Sequence, residues 1–220
     1  MAVSQPFADR AQAGAALAGR LAAYAGRPGV LVLALPRGGV PVAAPVAAAL
    51  RAPLDVVVVR KLGLPGQREL AMGALAGVGG EVDVVLNERV LRAAHVRPAD
   101  LDAVRTAELA ELRRREAAFR RDLPALPVTG RTVLVVDDGA ATGATVRAAV
   151  AALRRHGAAW VVVGLPVCPP DTAAVLAREA DEVVCVRVPR HFQAVGLEYR
   201  DFEPPADADV TALLRAGRPS

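Results

Sequence analysis

Apolar runs and amphipathic stretches alternate along the chain, and their periods predict alternating strands and helices. The runs that predict buried strands lie at 29–35, 54–60, 81–87, 132–137, 159–165 and 182–188. Helical patterns lie at 7–25, 40–51, 98–121, 143–156, 170–180 and 206–216. The glycine-rich stretch 62–80 predicts a long loop, with room for a hairpin. This alternation indicates an α/β fold with a mainly parallel sheet covered by helices on both faces.

Length and composition favour one globular domain over residues 1–220. No uncharged run approaches the length of a membrane span, and the first residues lack the apolar core of a signal peptide, so we expect a cytoplasmic protein without membrane contact. Cys168 and Cys185 lie in or beside apolar segments, where we expect buried, reduced thiols. His95, His156 and His191 are scattered without the spacing of a metal site.

The charge balance permits an anionic ligand or a nucleic acid without demanding either. The formal net charge is +4. Of the 27 basic residues only Lys61 is a lysine. Such a strong preference for arginine suggests that this lysine is retained for its compact ammonium group.

The stretch "VLVVDDGAATGATV" (133–146) carries the most specific chemistry in the chain. Asp137 and Asp138 end a predicted strand, and ligands of parallel sheets bind at the carboxyl ends of strands. The loop 139–145 supplies glycines for close backbone approach, threonine hydroxyls and the N–H groups of a starting helix. These features suit a phosphate, whereas the two acids suit vicinal hydroxyls. The stretch therefore predicts a sugar-phosphate site.

Other interpretations of this stretch account for less of it. An ordinary strand–turn–helix leaves the two acids unexplained. In a phosphorelay receiver the paired acids follow the first strand and a lysine comes later, but here other predicted strands precede 132–137 and Lys61 lies before it. A P-loop needs Gly-Lys-Ser/Thr, and the dinucleotide-binding glycine pattern is also absent.

The same residues resemble a known family. "VLVVDDGAATGAT" is similar to the thirteen-residue 5-phosphoribosyl-1-diphosphate (PRPP) site of type I phosphoribosyltransferases. "ALPRGGVPVA" (34–43) resembles their diphosphate-binding turn, and "VVRK" (58–61) resembles a basic pair at the end of their second strand. With "FADRAQAG", "RKLGLPGQRELAMGA" and "FQAVGLEYRDF", the chain resembles a bacterial branch of this family along nearly its whole length. Gly139 and Ala140 stand where larger apolar residues are usual, which predicts a looser loop.

The resemblance implies the type I phosphoribosyltransferase fold, with a core at about 28–188 and a small hood formed by about 189–205 and the N-terminal segment. It implies transfer of the phosphoribosyl group of PRPP to a nitrogen acceptor with release of diphosphate. The acceptor is expected to be a nucleobase, with a purine favoured. Mg²⁺ is the implied cofactor, and a homodimer is expected.

The implied roles of individual residues follow the matching motifs. Asp137 and Asp138 would bind the ribose hydroxyls, directly or through magnesium-bound water, and stabilise a cation-like transition state. The 5-phosphate would lie on Gly139, Ala140, Ala141, Thr142, Gly143, Ala144 and Thr145. The diphosphate would lie on Arg37, Gly38, Gly39, Arg60 and Lys61. A cis peptide bond is expected at Pro36–Arg37, and the loop 62–76 would close over the site.

The acceptor site is less well marked by sequence. Phe192 and Glu198 resemble the aromatic residue and the acid that contact the base in purine-salvage members. The alternative function is a PRPP- or nucleotide-sensing regulator on the same fold that binds nucleic acid, with "ELRRREAAFRR" (111–121) as a basic helix. Because its arginines fall on several faces, we expect a solvated or dimer-contact surface there and consider nucleic acid an unlikely partner.

Overall fold

The computed structural model describes residues 5–218, without the side chains of residues 68 and 69. Residues 1–4 and 219–220 of the predicted domain lie outside this range. Within it the chain forms eight strands and seven α-helices. They are the strands β1 (Val30–Ala34), β2 (Leu54–Val56), β3 (Val58–Leu64), β4 (Gln67–Val78), β5 (Glu81–Leu86), β6 (Thr132–Val136), β7 (Trp160–Val167) and β8 (Glu182–Arg187), and the helices α1 (Arg10–Arg20), α2 (Gly39–Leu50), α3 (Glu88–Ala93), α4 (Pro98–Arg120), α5 (Ala144–Arg155), α6 (Pro170–Leu176) and α7 (Asp207–Ala216).

Five strands form a parallel sheet in the order β2-β1-β6-β7-β8. All five residues of β1 are buried, as expected for a strand covered on both faces. Val32 and Ala34 contribute to one apolar cluster with α1, α2 and α7, whereas Leu31 and Leu33 contribute to the opposite cluster with α5. The predicted α/β fold with a helix-flanked parallel sheet is confirmed.

The prediction of one strand over 54–60 is wrong, and the stretch 62–80 is not a long loop but forms the hairpin for which the prediction left room. The apolar run breaks at Val57: β2 belongs to the parallel sheet, and β3 starts an antiparallel sheet in the order β3-β4-β5. Because every residue from 54 to 58 is apolar except Asp55, the pattern contains no signal for the break. The glycine-rich segment becomes β4 because it is paired on both sides, which outweighs its poor intrinsic strand propensity.

The N-terminal segment lies against residues 198–202. Phe7 donates its N–H to the carbonyl of Glu198, and its own carbonyl accepts the N–H of Arg200, each at 2.8 Å. The rings of Phe7 and Tyr199 are 5.6 Å apart, and Phe202 stacks beyond Tyr199. The helix predicted from residue 7 therefore starts only at Arg10, since Phe7 is held in an extended bridge. The core and hood boundaries themselves stay a prediction.

Both cysteines are free thiols, as predicted, and their sulfur atoms are 3.0 Å apart. Cys168 is buried, but Cys185 is only half-buried because β8 is an edge strand of the parallel sheet. Over residues 5–218, none of the helices combines the length and the apolar character needed to cross a membrane.

Candidate functional site

Two polar turns leave adjacent strands at the same edge of the parallel sheet. Ala34 of β1 is in register with Val136 of β6, so the "PRGG" turn and the acid pair emerge side by side. A Cβ atom on Gly38 would lie 2.0 Å from Oδ2 of Asp138. One on Gly39 would lie 2.7 Å from the Val136 carbonyl oxygen and 3.0 Å from Cα of Asp137. A side chain at Gly39 would meet backbone atoms, and one at Gly38 would have to displace the Asp138 carboxylate.

The "PRGG" turn has the backbone expected of it. The peptide bond between Pro36 and Arg37 is cis. Gly39 begins α2, so the amide groups of the turn and of the first helical turn lie beside the acids. The Arg37 side chain is exposed and lies 3.6 Å from Oδ1 of Asp207 at the start of α7.

The two acids differ in their partners. Oδ1 of Asp137 accepts a hydrogen bond from the backbone N–H of Asp138 at 2.9 Å. Oδ2 of Asp138 accepts one from Nε of Arg10, also at 2.9 Å. Burial raises the pKa of Asp137 well above its usual value, and the charge of Asp138 raises it further. Burial also raises the pKa of Asp138, but the hydrogen bond and charge of Arg10 act against that shift. The two carboxyl groups therefore form a poorly hydrated pair that favours a compensating ligand.

The predicted phosphate loop is tightly packed at one end and open at the other. A Cβ atom on Gly139 would lie 2.6 Å from Cγ1 of Val195 and 2.9 Å from Cγ1 of Val167. The N–H of Ala140 bonds to the carbonyl of Val167 at 3.0 Å. The expectation of a looser loop is wrong, since Val195 fills the space that a larger residue at 139 would take.

The open end of this loop leads into α5. Gly143 has φ +69°, a left-handed conformation that favours glycine. Oγ1 of Thr142 accepts the N–H of Ala144 at 3.4 Å. Ala141, Thr142, Ala144 and Thr145 are exposed. The N-terminus of a three-turn helix thus faces solvent beside the acid pair, which suits an anionic group.

Comparisons with known proteins agree with this geometry. The family model described as "Phosphoribosyl transferase domain" matches residues 7–200. The chain belongs to this family. Two Mycobacterium tuberculosis proteins, from strains CDC 1551 / Oshkosh and H37Rv, are each 51% identical over 208 residues, and their names give phosphoribosyl transferase as a provisional assignment. The match covers 94% of this chain but 46% of each relative, so the chain spans about half their length.

A crystal structure from Thermus thermophilus matches this chain over nearly its whole length. The two chains are 41% identical with a TM-score of 0.84, and the match covers 98% of this chain and 100% of the other. The family is a class of transferases, which agrees with the expected enzyme class.

The predicted basic pair, Arg60 and Lys61, lies on the antiparallel sheet. Both Nε and Nη2 of Arg60 contact Oε2 of Glu108 on α4, at 2.7 and 2.6 Å. Lys61 lies on β3 opposite Ala74 and is exposed. Both residues line a cavity of about 510 Å³ that α4 also borders. The structure thus gives Arg60 a carboxylate partner that the sequence did not predict.

The two residues predicted to contact the base lie beyond β8. Phe192 is half-buried, and Glu198 lies in a short 3-10 turn, Val195–Glu198. Oε2 of Glu198 is 3.9 Å from Nη1 of Arg187, and this guanidinium stacks 3.7 Å above the Phe7 ring. Glu198 therefore already has a cationic neighbour at the end of β8.

Sequence reasoning missed three residues that contact Asp138 or its partner. Arg10 binds its carboxylate, the Tyr199 hydroxyl donates to its backbone carbonyl, and the Phe202 ring lies 4.0 Å from the Arg10 guanidinium. All three belong to the stretches "FADRAQAG" and "FQAVGLEYRDF". The sequence did indicate that both stretches resemble the same family branch. That resemblance does not show that the two stretches contact each other.

The oxygen donors at the acid pair suit a hard cation that arrives with its substrate. Among residues 5–218 there is no cluster of three or more side chains able to hold a metal by themselves. Mg²⁺ is commonly bound by one or two carboxylates, several waters and substrate phosphates. Asp137 and Asp138 meet that description, so the residues present fit a magnesium ion shared with a diphosphate.

Proposed function

We propose that this protein transfers the 5-phosphoribosyl group of PRPP to a ring nitrogen of a nucleobase, with a purine favoured, and releases diphosphate. The observation that carries the proposal is the contact of Gly38 with Asp138 and of Gly39 with Asp137. It supports the proposal because the turn that would bind diphosphate lies directly beside the acids that would bind ribose. The loop 139–145 then offers a phosphate site on the other side of the same acids.

The 5-phosphate would be bound by the open end of the loop. Thr142 and Thr145 offer hydroxyl groups, and the first N–H groups of α5 offer donors together with the positive end of the helix dipole. Gly139 and Ala140 would act indirectly, because their packing on Val167 fixes the course of the loop. A phosphate bound here, away from the reacting carbon C1, would fix the orientation of the ribose.

Asp137 and Asp138 would bind the ribose hydroxyls. As the bond from C1 to diphosphate breaks, positive charge develops on the ribose ring, and two nearby carboxylates would stabilise it. The acceptor nitrogen forms the new bond to C1 and loses its proton to solvent water, and diphosphate leaves with the electron pair of the broken bond. A bound magnesium ion would neutralise charge on the leaving diphosphate. Low hydration of the acids favours this arrangement, because an ionic ligand interacts more strongly where water is scarce.

The diphosphate would be bound by the amide of Gly38 and by Arg37. The N–H of Gly39 donates to the carbonyl of Leu35 at 2.9 Å and would have to release that bond to bind the diphosphate as well. Arg37 would exchange its long, exposed contact with Asp207 for a diphosphate oxygen, which costs little because surface ion pairs are weak. Lys61 and Arg60 would approach from the antiparallel sheet. The β3–β4 hairpin replaces the predicted loop as the element that would cover the site.

Phe192 and Glu198 are proposed to contact the acceptor base. An aromatic ring offers a stacking surface, and a carboxylate accepts an N–H of a purine. The proposal of a purine depends on the resemblance of these two residues to those of purine-salvage enzymes. A homodimer and a cytoplasmic location likewise stay predictions.

The alternative function as a nucleic-acid-binding regulator receives less support. Four of the five arginines on α4, and Arg97 at its N-cap, are paired with acids, mainly on the same helix, so little unpaired positive charge is left for phosphates. The pairs are Arg97–Asp100, Arg105–Asp102, Arg114–Glu111, Arg115–Glu111, and Arg120 with Asp55 and Glu116. Retention of RNA or DNA that weakens with salt would favour this alternative.

The deciding experiment is a base-by-base assay of diphosphate release with PRPP and Mg²⁺. We expect release that depends on one nucleobase, together with formation of its nucleotide. The matched control is the double variant Asp137→Asn and Asp138→Asn, which should remain folded and release no diphosphate. PRPP binding without turnover by any base would instead favour the sensor.

A further inference from the structure

Arg10 connects the start of α1 to the acid pair. Its Nε lies 2.9 Å from Oδ2 of Asp138, and the two side chains are only 10% and 15% exposed. Salt screens an ion pair of this kind weakly, because solvent ions cannot approach it closely. The contact therefore persists under the ionic conditions of a cell.

Two further contacts orient the guanidinium group of Arg10. Its Nη1 donates to the carbonyl oxygen of Glu203 at 2.8 Å. The Phe202 ring centre lies 4.0 Å from its Cζ, within the range of a cation–π interaction. A planar guanidinium satisfies these partners together because its N–H groups point in fixed directions, which an ammonium cannot reproduce.

We propose that Arg10 is a positioning residue that sets the affinity for the sugar phosphate, an inference that rests on the proposed function. By holding Oδ2 of Asp138 against Gly38, it leaves Oδ1 for a ribose hydroxyl. Its positive charge also offsets the repulsion between the acid pair and an anionic ligand. The other contacts of Arg10 are to residues 202 and 203. The position of these two residues therefore affects how Arg10 holds Asp138, and through it the affinity for the sugar phosphate.

The test measures PRPP binding to the full chain by calorimetry with Mg²⁺. Arg10→Ala should weaken the affinity at least tenfold. Because this substitution leaves a space shaped for a guanidinium group, millimolar methylguanidinium should restore most of the affinity, whereas sodium chloride at the same ionic strength should not. Arg20→Ala, an exposed arginine of the same helix, should bind PRPP like the parent.

The outcomes separate this inference from the function on which it rests. Unchanged affinity in Arg10→Ala would overturn the role of Arg10 alone, and so would a loss that methylguanidinium does not reverse. If Arg10→Ala does not fold, Arg10→Lys replaces it; weaker PRPP binding than the parent is expected there, and equal binding would overturn the inference. Failure of the parent to bind PRPP would overturn the inference and the proposed function together.

Discussion

Gly38 and Asp138 lie so close that a Cβ atom on the glycine would stand 2.0 Å from Oδ2 of the aspartate and 2.7 Å from its Cγ. The carboxylate would have to move to admit even a methyl group. That movement would also break the hydrogen bond from Arg10, because Oδ2 is both the atom nearest to Gly38 and the acceptor of that bond.

Gly38→Ala is therefore expected to weaken PRPP binding by at least tenfold in calorimetry. Overpacking of a close contact should also lower the free energy of unfolding by about 1–3 kcal/mol. Gly19→Ala is the matched control, because a Cβ atom on this exposed glycine would meet nothing within 4 Å beyond its own helix backbone and chain neighbours. It should leave binding unchanged and stabilise α1 by about 0.5–1 kcal/mol. Equal binding by Gly38→Ala and the parent would contradict the contact.

Asp137→Asn is expected to raise stability at neutral pH while PRPP affinity falls. In the unfolded chain this carboxyl ionises near pH 3.9, but burial and Asp138 raise its pKa in the folded protein. The folded state therefore loses stability as the pH rises above the unfolded value, and this loss continues up to the raised pKa. Asparagine does not titrate, so the melting temperature of the variant should exceed that of the parent at pH 7.5.

The gain should disappear below about pH 4, where the aspartate is protonated in both states. Calorimetric melting at both pH values tests this, with Glu81→Gln as an exposed-acid control on β5 that should change little. A lower melting temperature for Asp137→Asn at pH 7.5 would show that the acid contributes to the fold and is not a strained binding group.

Gly139 and Val195 are expected to be energetically coupled. Gly139→Ala would place a methyl group 2.6 Å from Cγ1 of Val195, so it should cost about 1–3 kcal/mol of unfolding free energy. In a Val195→Ala background the same substitution should cost less, although Val167 still crowds the site. A double-mutant cycle by urea denaturation measures this coupling, and additive effects would contradict the packing described.

Lys61→Arg is expected to lower turnover about tenfold, which corresponds to about 1.4 kcal/mol in the barrier. Lys61 is exposed on β3, and a guanidinium is broad and planar where an ammonium is a compact point charge on a slim stem, so arginine would fit poorly against a diphosphate oxygen there. Stability should hardly change. Steady-state kinetics with PRPP and the accepted base measure the effect, and equal activity would remove Lys61 from the site.

The parallel sheet and the acid pair were predictable because their signals are local. β1 and β6 are uninterrupted apolar runs, and Asp137 follows one of them directly. The antiparallel sheet was not predictable in the same way, because β4 owes its conformation to two partners and its composition indicates a loop. The contact of Arg10 with Asp138 joins distant parts of the chain, and an arginine at the start of an amphipathic helix has no local feature that distinguishes it.

Val57, the single residue between β2 and β3, limits how the antiparallel sheet can move. This buried residue lies between two sheets of different type, and its N–H is held by the carbonyl of Ala34 at 3.0 Å. Val57 is thus a fixed pivot beside β1, and the antiparallel sheet can tilt about it only as far as Leu62, Met72 and Leu75 allow, because these residues pack in the apolar cluster that also contains β1 residues. A tilt of about 10° at the pivot would move the tip of the β3–β4 hairpin by about 4 Å, because its seven residues extend roughly 23 Å at about 3.3 Å each.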